Sequence, residues 1–124
     1  MVSKYVLIVD DEPANIELFE VMLRAFQVEV RGVTLGSEAL AQARQVPPAL
    51  VLLDLMLPDM SGFEVCAQLK AAPETAGVRV AMLTGRDDAA ARQKAAEVGV
   101  DDFLVKPVSR GALKALLEAT LKGN

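Results

Sequence analysis

The sequence predicts an α/β fold, in which five parallel β-strands alternate along the chain with five α-helices. Short strand-like runs rich in Val, Leu and Ile recur five times, and segments with helical signals fill the gaps between them. Two of these runs are apolar throughout, which is typical of strands covered on both faces. The predicted strands are residues 5–9, 28–32, 50–53, 79–83 and 102–105.

The apolar pattern also predicts the order of the strands in the sheet. The first and third strands are the two that are apolar throughout, whereas residues 28–31 alternate and so favour an edge position. We therefore expect the order 2-1-3-4-5 with helices on both faces, which is a flavodoxin-like doubly wound (βα)5 fold. At 124 residues, the chain is expected to form a single domain over residues 1–124.

The helix boundaries are predicted from capping signals. Pro13 suits the first position of the first helix, and Ser61 with Glu64 three residues later forms a capping-box pattern before the third. Asp87 or Asp88 is expected to cap the fourth helix by accepting a hydrogen bond from its first turn. The other boundary signals are Gly36 before the second helix (about residues 37–45), Gly99 after the fourth and Ser109 before the fifth.

Composition excludes several classes of function. A net charge of −4 without a Lys/Arg cluster argues against a nucleic-acid surface. The chain has no histidine, which excludes the usual zinc sites and Ser-His or Cys-His nucleophiles, and its one cysteine, Cys66, is expected to be a buried apolar residue. No apolar run approaches the roughly 20 residues that span a bilayer, and no signal peptide is recognisable, so a cytoplasmic location is expected.

Polar side chains follow four of the five predicted strands. Asp10 and Asp11 come after the first strand, Asp54 after the third, Thr84 after the fourth and Lys106 after the fifth. Because the carboxyl ends of parallel strands share one edge of the sheet, these residues are expected to meet in one pocket between the first and third strands.

Three carboxylates crowded against one ammonium repel one another, and a hard divalent cation relieves that repulsion. Mg²⁺ fits best, because it binds through one or two carboxylates and leaves room for a phosphoryl oxygen. A metal ion, a lysine, a hydroxyl and a carboxylate are the groups that phosphoryl transfer requires. The sequence therefore predicts that Asp54 attacks a phosphorus atom and becomes an acyl phosphate.

These motifs resemble those of bacterial two-component response-regulator receiver domains, including the single-domain chemotaxis regulators. The resemblance extends from Val6 to about Leu121, and every motif occurs in the expected order. The motifs are VDDE at residues 9–12, LDLMLP at 53–58, SG at 61–62, LTG at 83–85 and VKP at 105–107.

The resemblance implies a role for each residue around the metal. Asp54 is the phosphoacceptor, Asp11 is a direct Mg²⁺ ligand, Asp10 supports the ion through water, and the backbone carbonyl of Met56 is a further ligand. Met56 and Arg86 also resemble the variable positions that line the phosphoryl group and tune its hydrolysis.

Further roles that the resemblance implies belong to the fourth and fifth strands. Thr84 bonds the phosphoryl group, and Lys106 pairs with a phosphoryl oxygen and precedes a cis bond to Pro107. Gly85 belongs with the tuning positions and leaves the acceptor accessible. Phe103 matches the aromatic switch position, where many relatives carry tyrosine, so a signalling step through a phenolic hydroxyl is not expected.

The function that the resemblance implies is that of a signalling switch. Such a protein is not an enzyme that acts on other substrates, and it catalyses only its own phosphorylation and slow dephosphorylation. A sensor histidine kinase or phosphotransfer protein donates the phosphoryl group, and a downstream effector protein or output domain reads the changed surface. A monomer or a weak phosphorylation-linked dimer is expected, without direct contact to nucleic acid or membrane. The alternative is a protein-interaction module with the same fold that works without phosphorylation.

Other functions that use similar residues fit less well. A phosphatase of the haloacid-dehalogenase type carries its nucleophile in an Asp-x-Asp on the first strand, and this chain has no such pattern there. Flavin binding needs a phosphate loop where this chain has the acidic Asp10, Asp11 and Glu12, and no P-loop motif is present.

The remaining acidic residues and the fourth helix complete the predictions. Asp101 and Asp102 are expected at the opposite edge of the sheet in a structural or solvated role, and Asp59, past Pro58, is expected to be exposed. Burial contributes about 0.8 kcal/mol per methylene, so a fourth helix with a small inward stripe should be the easiest helix to move. That stripe is predicted to be Ala91, Ala95 and Val98.

Overall fold

The computed structural model describes residues 5–85 and 88–122. In the described residues, five strands form one parallel sheet of order β2-β1-β3-β4-β5, which confirms the predicted doubly wound fold. The strands are β1 (Tyr5–Val9), β2 (Glu29–Val33), β3 (Leu50–Asp54), β4 (Arg79–Thr84) and β5 (Asp102–Val105). The helices are α1 (Pro13–Leu23), α2 (Gly36–Gln45), α3 (Gly62–Ala71), α4 (Ala89–Val98) and α5 (Arg110–Leu121), and a 3-10 turn at Arg24–Phe26 follows α1.

The predicted element boundaries are correct to within about a residue. β2 begins and ends one residue later than predicted, and β3 and β4 each extend by one residue to include Asp54 and Thr84. The extension has a simple cause: Asp54 still pairs with Leu83 of β4, and the next amide, that of Leu55, donates to the Leu83 carbonyl at 3.2 Å. The acceptor candidate is thus the last residue of a central strand.

Two apolar clusters pack on opposite faces of the sheet. Alternate residues of β1 and β3 enter one cluster with α2 and α3, and the residues between them enter the other with α1 and α5. This double burial explains why the sequences of β1 and β3 are apolar throughout. Cys66 is fully buried in the first cluster, as predicted, and burial raises the pKa of its thiol to about 11.

The capping predictions are confirmed where the structure describes them. The amide of Glu64 donates to Ser61 Oγ at 3.2 Å and completes a capping box, and that of Ala91 donates to Asp88 Oδ1 at 2.7 Å. Asp87 lies outside the described residues. Ser109 caps α5, and Gly99, with φ of 89°, ends α4 in the left-handed conformation that glycine adopts without strain.

α4 is attached through small side chains. Ala91 and Ala95 are buried and Val98 is partly buried, as predicted.

Within residues 5–85 and 88–122, no helix has both the length and the apolar character that crossing a bilayer requires.

The acidic pair Asp101 and Asp102 lies at the amino end of β5, away from the carboxyl ends of the strands. Asp101 Oδ2 is 2.8 Å from the Nζ of Lys70, and Asp102 Oδ2 is 2.8 Å from the Nε of Arg79. The amide of Val80 also donates to Asp101 at 2.8 Å. These contacts join the beginning of β5 to β4 and to α3, so of the two predicted roles, structural or solvated, the structure shows the structural one.

Candidate functional site

Three carboxylates meet at the carboxyl ends of the two central strands. Asp10 follows β1, Asp54 ends the neighbouring β3, and one oxygen each from Asp10, Asp11 and Asp54 lies within 4.8 Å of the others. Asp10 is buried, Asp54 is half-buried and Asp11 is exposed. The sheet topology therefore brings together the acidic residues that the sequence predicted to meet.

A lysine from the far end of the chain completes this acidic cluster. Lys106 Nζ lies 3.6 Å from Asp10 Oδ2 and 3.6 Å from Asp54 Oδ1. The backbone amide of Lys106 donates to the carbonyl of Thr84 at 2.8 Å, which extends the pairing of β5 with β4 to the site. The peptide bond between Lys106 and Pro107 is cis, as the family resemblance implied.

The buried carboxylate of Asp10 has donors that the sequence did not point out. The backbone amide of Glu12 donates to Oδ1 at 2.9 Å, and the side-chain amide of Asn15 lies 3.4 Å from Oδ1 and 3.2 Å from Oδ2. Asn15 is in the first turn of α1, which begins directly behind the acidic motif. That proximity in sequence is the signal that could have identified Asn15 as a neighbour of the site.

The electrostatic environment disfavours a negative charge on Asp54. Burial is the largest effect and raises the pKa of this carboxyl, and the nearby charges of Asp10 and Asp11 raise it further. The ammonium of Lys106 and the backbone N–H of Met56 lower it, without fully offsetting the other effects. An added cation at this cluster would therefore favour the ionised form of Asp54.

The other predicted site residues surround the acidic cluster with different exposures. Thr84 ends β4 and is 3% exposed, whereas the Met56 side chain projects into solvent with 72% exposure. Gly85 is exposed, and among the described residues, apart from its chain neighbours, a Cβ atom at this position would meet no heavy atom within 4 Å. The expected accessibility of Asp54 over Gly85 stays a prediction, and Arg86 lies outside the described residues.

The loop after β3 folds back on itself and returns to the acceptor strand. Met56 and Ser61 form an antiparallel bridge, and the amide of Gly62 donates to the carbonyl of Leu55 at 2.7 Å. A Cβ atom on Gly62 would lie only 2.4 Å from the carbonyl oxygen of Asp54. Gly62, seen in the sequence only as part of a motif, is thus required for the close contact between α3 and Asp54.

Asp59 is exposed, as predicted, but it has a role that the sequence did not indicate. Its Oδ1 accepts a hydrogen bond from the amide of Gly36 at 2.8 Å, and its Oδ2 accepts one from the amide of Ser37 at 3.0 Å. The hydrogen bonds from the Ser37 and Gly36 amides lower the pKa of Asp59. A residue of the β3–α3 loop therefore caps α2.

Phe103 is in β5 and contacts a residue of α4. Its side chain is half-buried against the apolar cluster that contains α2 and α3, and the guanidinium of Arg92 lies 4.7 Å from its ring centroid. An arginine over an aromatic ring at this distance is a cation–π contact. Phe103 is thus in contact with α4 on one side and the core on the other.

An apolar groove of about 330 Å³ adjoins Lys106. Leu18 on the rim of this groove is 55% exposed. The groove is lined by Asn15, Leu18, Phe19, Met22, Lys106, Pro107 and Val108.

A five-stranded parallel sheet with clustered aspartates and a lysine at its carboxyl edge defines a receiver-type α/β domain. The chain matches the response regulator receiver domain model over residues 6–118 and belongs to that family. The general function of the family is a phosphorylation-dependent switch in two-component signalling, and its members bind Mg²⁺ at an acidic site.

Known relatives agree with this assignment. The chain is 39% identical over 119 residues to the DNA-binding response regulator MtrA of Mycolicibacterium smegmatis, a match covering 96% of this chain and 51% of MtrA. It therefore spans about half the length of that relative.

Solved structures extend the comparison to the fold. The chemotaxis protein CheY4 of Vibrio cholerae superposes with a TM-score of 0.88 at 27% identity, covering 96% of this chain and 99% of CheY4. The receiver domain of the sensor histidine kinase PA1611 from Pseudomonas aeruginosa has a TM-score of 0.88 at 26% identity and covers 98% and 100% of the two chains. That structure has a magnesium ion coordinated in its active-site cleft.

Proposed function

We propose that this protein accepts a phosphoryl group on the carboxylate of Asp54, with Mg²⁺ bound beside it, and so switches its affinity for a partner. The observation that carries the proposal is the position of Lys106 Nζ, 3.6 Å from both Asp10 and Asp54. A lysine so placed can leave its carboxylate partners for a phosphoryl oxygen once Asp54 is modified. A sensor histidine kinase or phosphotransfer protein is the proposed donor.

The donor set supports Mg²⁺ in preference to a softer metal, because the cluster offers carboxylate oxygens and neither histidine nor thiolate. Asp11 and Asp54 would bind the ion directly, and the carbonyl of Met56 would supply a third oxygen. Asp10, whose oxygens already accept from Glu12 and Asn15, would support the ion through water. When bound, the ion neutralises charge on the phosphoryl oxygens during transfer.

The chemical step is a displacement at phosphorus by a carboxylate oxygen of Asp54. With a phosphohistidine donor, the new oxygen–phosphorus bond forms as the phosphorus–nitrogen bond breaks, and the leaving nitrogen keeps the electron pair. Lys106 then pairs with one phosphoryl oxygen, and the Thr84 hydroxyl donates to another. Gly85, which has no side chain, would leave room for the donor to approach.

In this scheme the protein catalyses only the phosphorylation of its own Asp54 and the slow loss of that phosphoryl group. The reader of the signal would be an effector protein or an output domain. The second candidate, an interaction module that works without phosphorylation, has the same fold and differs only in the behaviour of Asp54. A single labelling experiment therefore separates the two candidates.

The test is the intact mass of the protein after incubation with a small acyl phosphate, with Mg²⁺ or with excess chelator. We expect one added phosphoryl group only when Mg²⁺ is present, and loss of that group in alkali, as acyl phosphates hydrolyse readily. The Asp11→Ala variant is the matched control for the metal and should be labelled poorly at the same Mg²⁺ concentration. No added mass, or an alkali-stable product, would favour the interaction module.

The second prediction concerns the output of the switch. Thr84 ends β4, and α4, which follows it closely, is held by the small side chains of Ala91 and Ala95, so phosphorylation should shift α4 at low energetic cost. Movement of Thr84 toward the phosphoryl group would let Phe103 turn inward and change the α4–β5–α5 face.

Amide hydrogen exchange with and without a phosphoryl mimic measures this shift. We expect the changes outside the site loops to fall between residues 87 and 105. The Phe103→Ala variant should bind its partner with less dependence on phosphorylation than the wild type. Exchange changes centred on α1, or an unaltered response in Phe103→Ala, would contradict this route.

A further inference from the structure

Asp59 holds the loop that follows the phosphoacceptor against the amino terminus of α2. Its two carboxylate oxygens accept one hydrogen bond each, from the amides of Gly36 and Ser37, at 2.8 and 3.0 Å. The residue at the N-cap position of α2 is Leu35, which has no oxygen in its side chain and makes no cap hydrogen bond. The cap of α2 is thus supplied by Asp59, which is 23 positions further along the chain than Gly36.

A second, independent contact presses the same part of the loop onto α2. A Cβ atom on Gly36 would lie 2.4 Å from Met60 Cγ and 2.9 Å from a Val65 methyl carbon. Met60 therefore packs against the bare backbone of the first helical residue. The polar contact of Asp59 and the apolar contact of Met60 together anchor the far end of the loop.

The near end of the loop is anchored separately. Two backbone contacts close the base of the loop. Met56 and Ser61 form a bridge, and the amide of Gly62 donates to the carbonyl of Leu55 at 2.7 Å. Met56 is itself part of this closed base, and the residues between Met56 and Asp59 connect the base to the clamp on α2. Its backbone has little freedom as long as both ends are held.

We propose that Asp59 is a positioning residue for the metal site: by clamping the loop to α2, it sets the position of the Met56 carbonyl relative to the carboxylates of Asp54 and Asp11. This inference rests on the proposed function, in which that carbonyl binds Mg²⁺. Asp59 touches neither the metal nor the phosphoryl group and acts only through the loop. Partners that orient metal ligands in this way contribute substantially to metal affinity.

The test is the dissociation constant for Mg²⁺ alone, measured by chemical-shift titration of the labelled protein without any phosphodonor. Asp59→Ala should raise the Kd by about tenfold, the lower end of the effect usual for residues that orient metal ligands. Asp59→Asn keeps one acceptor oxygen and should raise the Kd less. This conservative variant also keeps the test decisive if Asp59→Ala folds poorly.

Glu38→Ala is the matched control. Glu38 Oε1 accepts from the amide of Thr34 at 3.4 Å at the same end of α2, so its hydrogen bond is to the residues before the helix and not to the β3–α3 loop. We expect its Kd for Mg²⁺ to equal that of the wild type, even if its melting temperature falls. A wild-type Kd in both Asp59 variants, or equal weakening in Glu38→Ala, would overturn the inference while leaving the phosphorylation of Asp54 intact. Failure of the wild type to bind Mg²⁺ would overturn both proposals.

Discussion

Replacement of Asp54 by asparagine should give a protein that takes up no phosphoryl group and yet is more stable than the wild type without metal. The amide cannot displace a leaving group at phosphorus, so labelling should be lost completely. The gain in stability arises because burial and the charges of Asp10 and Asp11 raise the pKa of Asp54 and so oppose its ionised form. In a domain of this size, each kcal/mol gained raises the melting temperature by about 4 °C.

The raised pKa of Asp54 determines how the extra stability of Asp54→Asn changes with pH. A folded-state pKa above the unfolded value means that the folded protein binds more protons, so wild-type stability falls as pH rises through the range between the two values. Below the ordinary carboxyl pKa, Asp54 is protonated in both states and its unfavourable contribution vanishes. The difference in melting temperature between Asp54→Asn and the wild type should therefore be small in acid and reach its largest value at neutral pH.

Melting curves in chelator across a pH series measure the difference. Asp101→Asn is the matched control, because Asp101 is paired with Lys70 at 2.8 Å and its removal should not stabilise the fold. If Asp54→Asn still gained a phosphoryl group, or melted below the wild type at neutral pH, the assignment of Asp54 would be wrong.

Gly62→Ala should destabilise the protein by about 2 kcal/mol, which corresponds to a fall of about 8 °C in melting temperature. The added Cβ would lie 2.4 Å from the carbonyl oxygen of Asp54 and 3.1 Å from the Cα of Leu55. Both of these are backbone atoms and cannot rotate away, so the acceptor strand and α3 must separate. The same displacement should slow phosphoryl uptake, because the Asp54 carboxylate moves with its backbone.

Gly111→Ala is the matched control for this substitution. Gly111 is the second residue of α5, and among the described residues a Cβ atom there would meet no heavy atom within 4 Å apart from the backbone of its own helix. Alanine in a helix is favoured over glycine, so this variant should gain about 0.5 to 1 kcal/mol and retain phosphoryl uptake. Equal stability of Gly62→Ala and the wild type would show that α3 can move without disturbing Asp54.

The sequence alone determined the architecture and the composition of the site. The uninterrupted apolar runs before Asp10 and Asp54 identified the central strands, because only strands buried on both faces need apolar residues at every position. Once the strand order is known, the carboxyl ends of the strands must share one edge, and Asp10, Asp54 and Lys106 must approach one another. The roles of the individual residues in phosphoryl transfer stay predictions.

Only the tertiary structure decided how the site is supported. The sequence pattern does not predict three contacts that support the site. They are the hydrogen bond from Asn15 to Asp10, the hydrogen bonds of Asp59 with the beginning of α2, and the close approach of Gly62 to the Asp54 carbonyl. Periodicity reports which face of an element is buried, but it carries no information on the path of a loop. Asp59 lies 23 positions from the Gly36 amide that it caps, and its oxygens reach that amide only because the β3–α3 loop brings them to the beginning of α2.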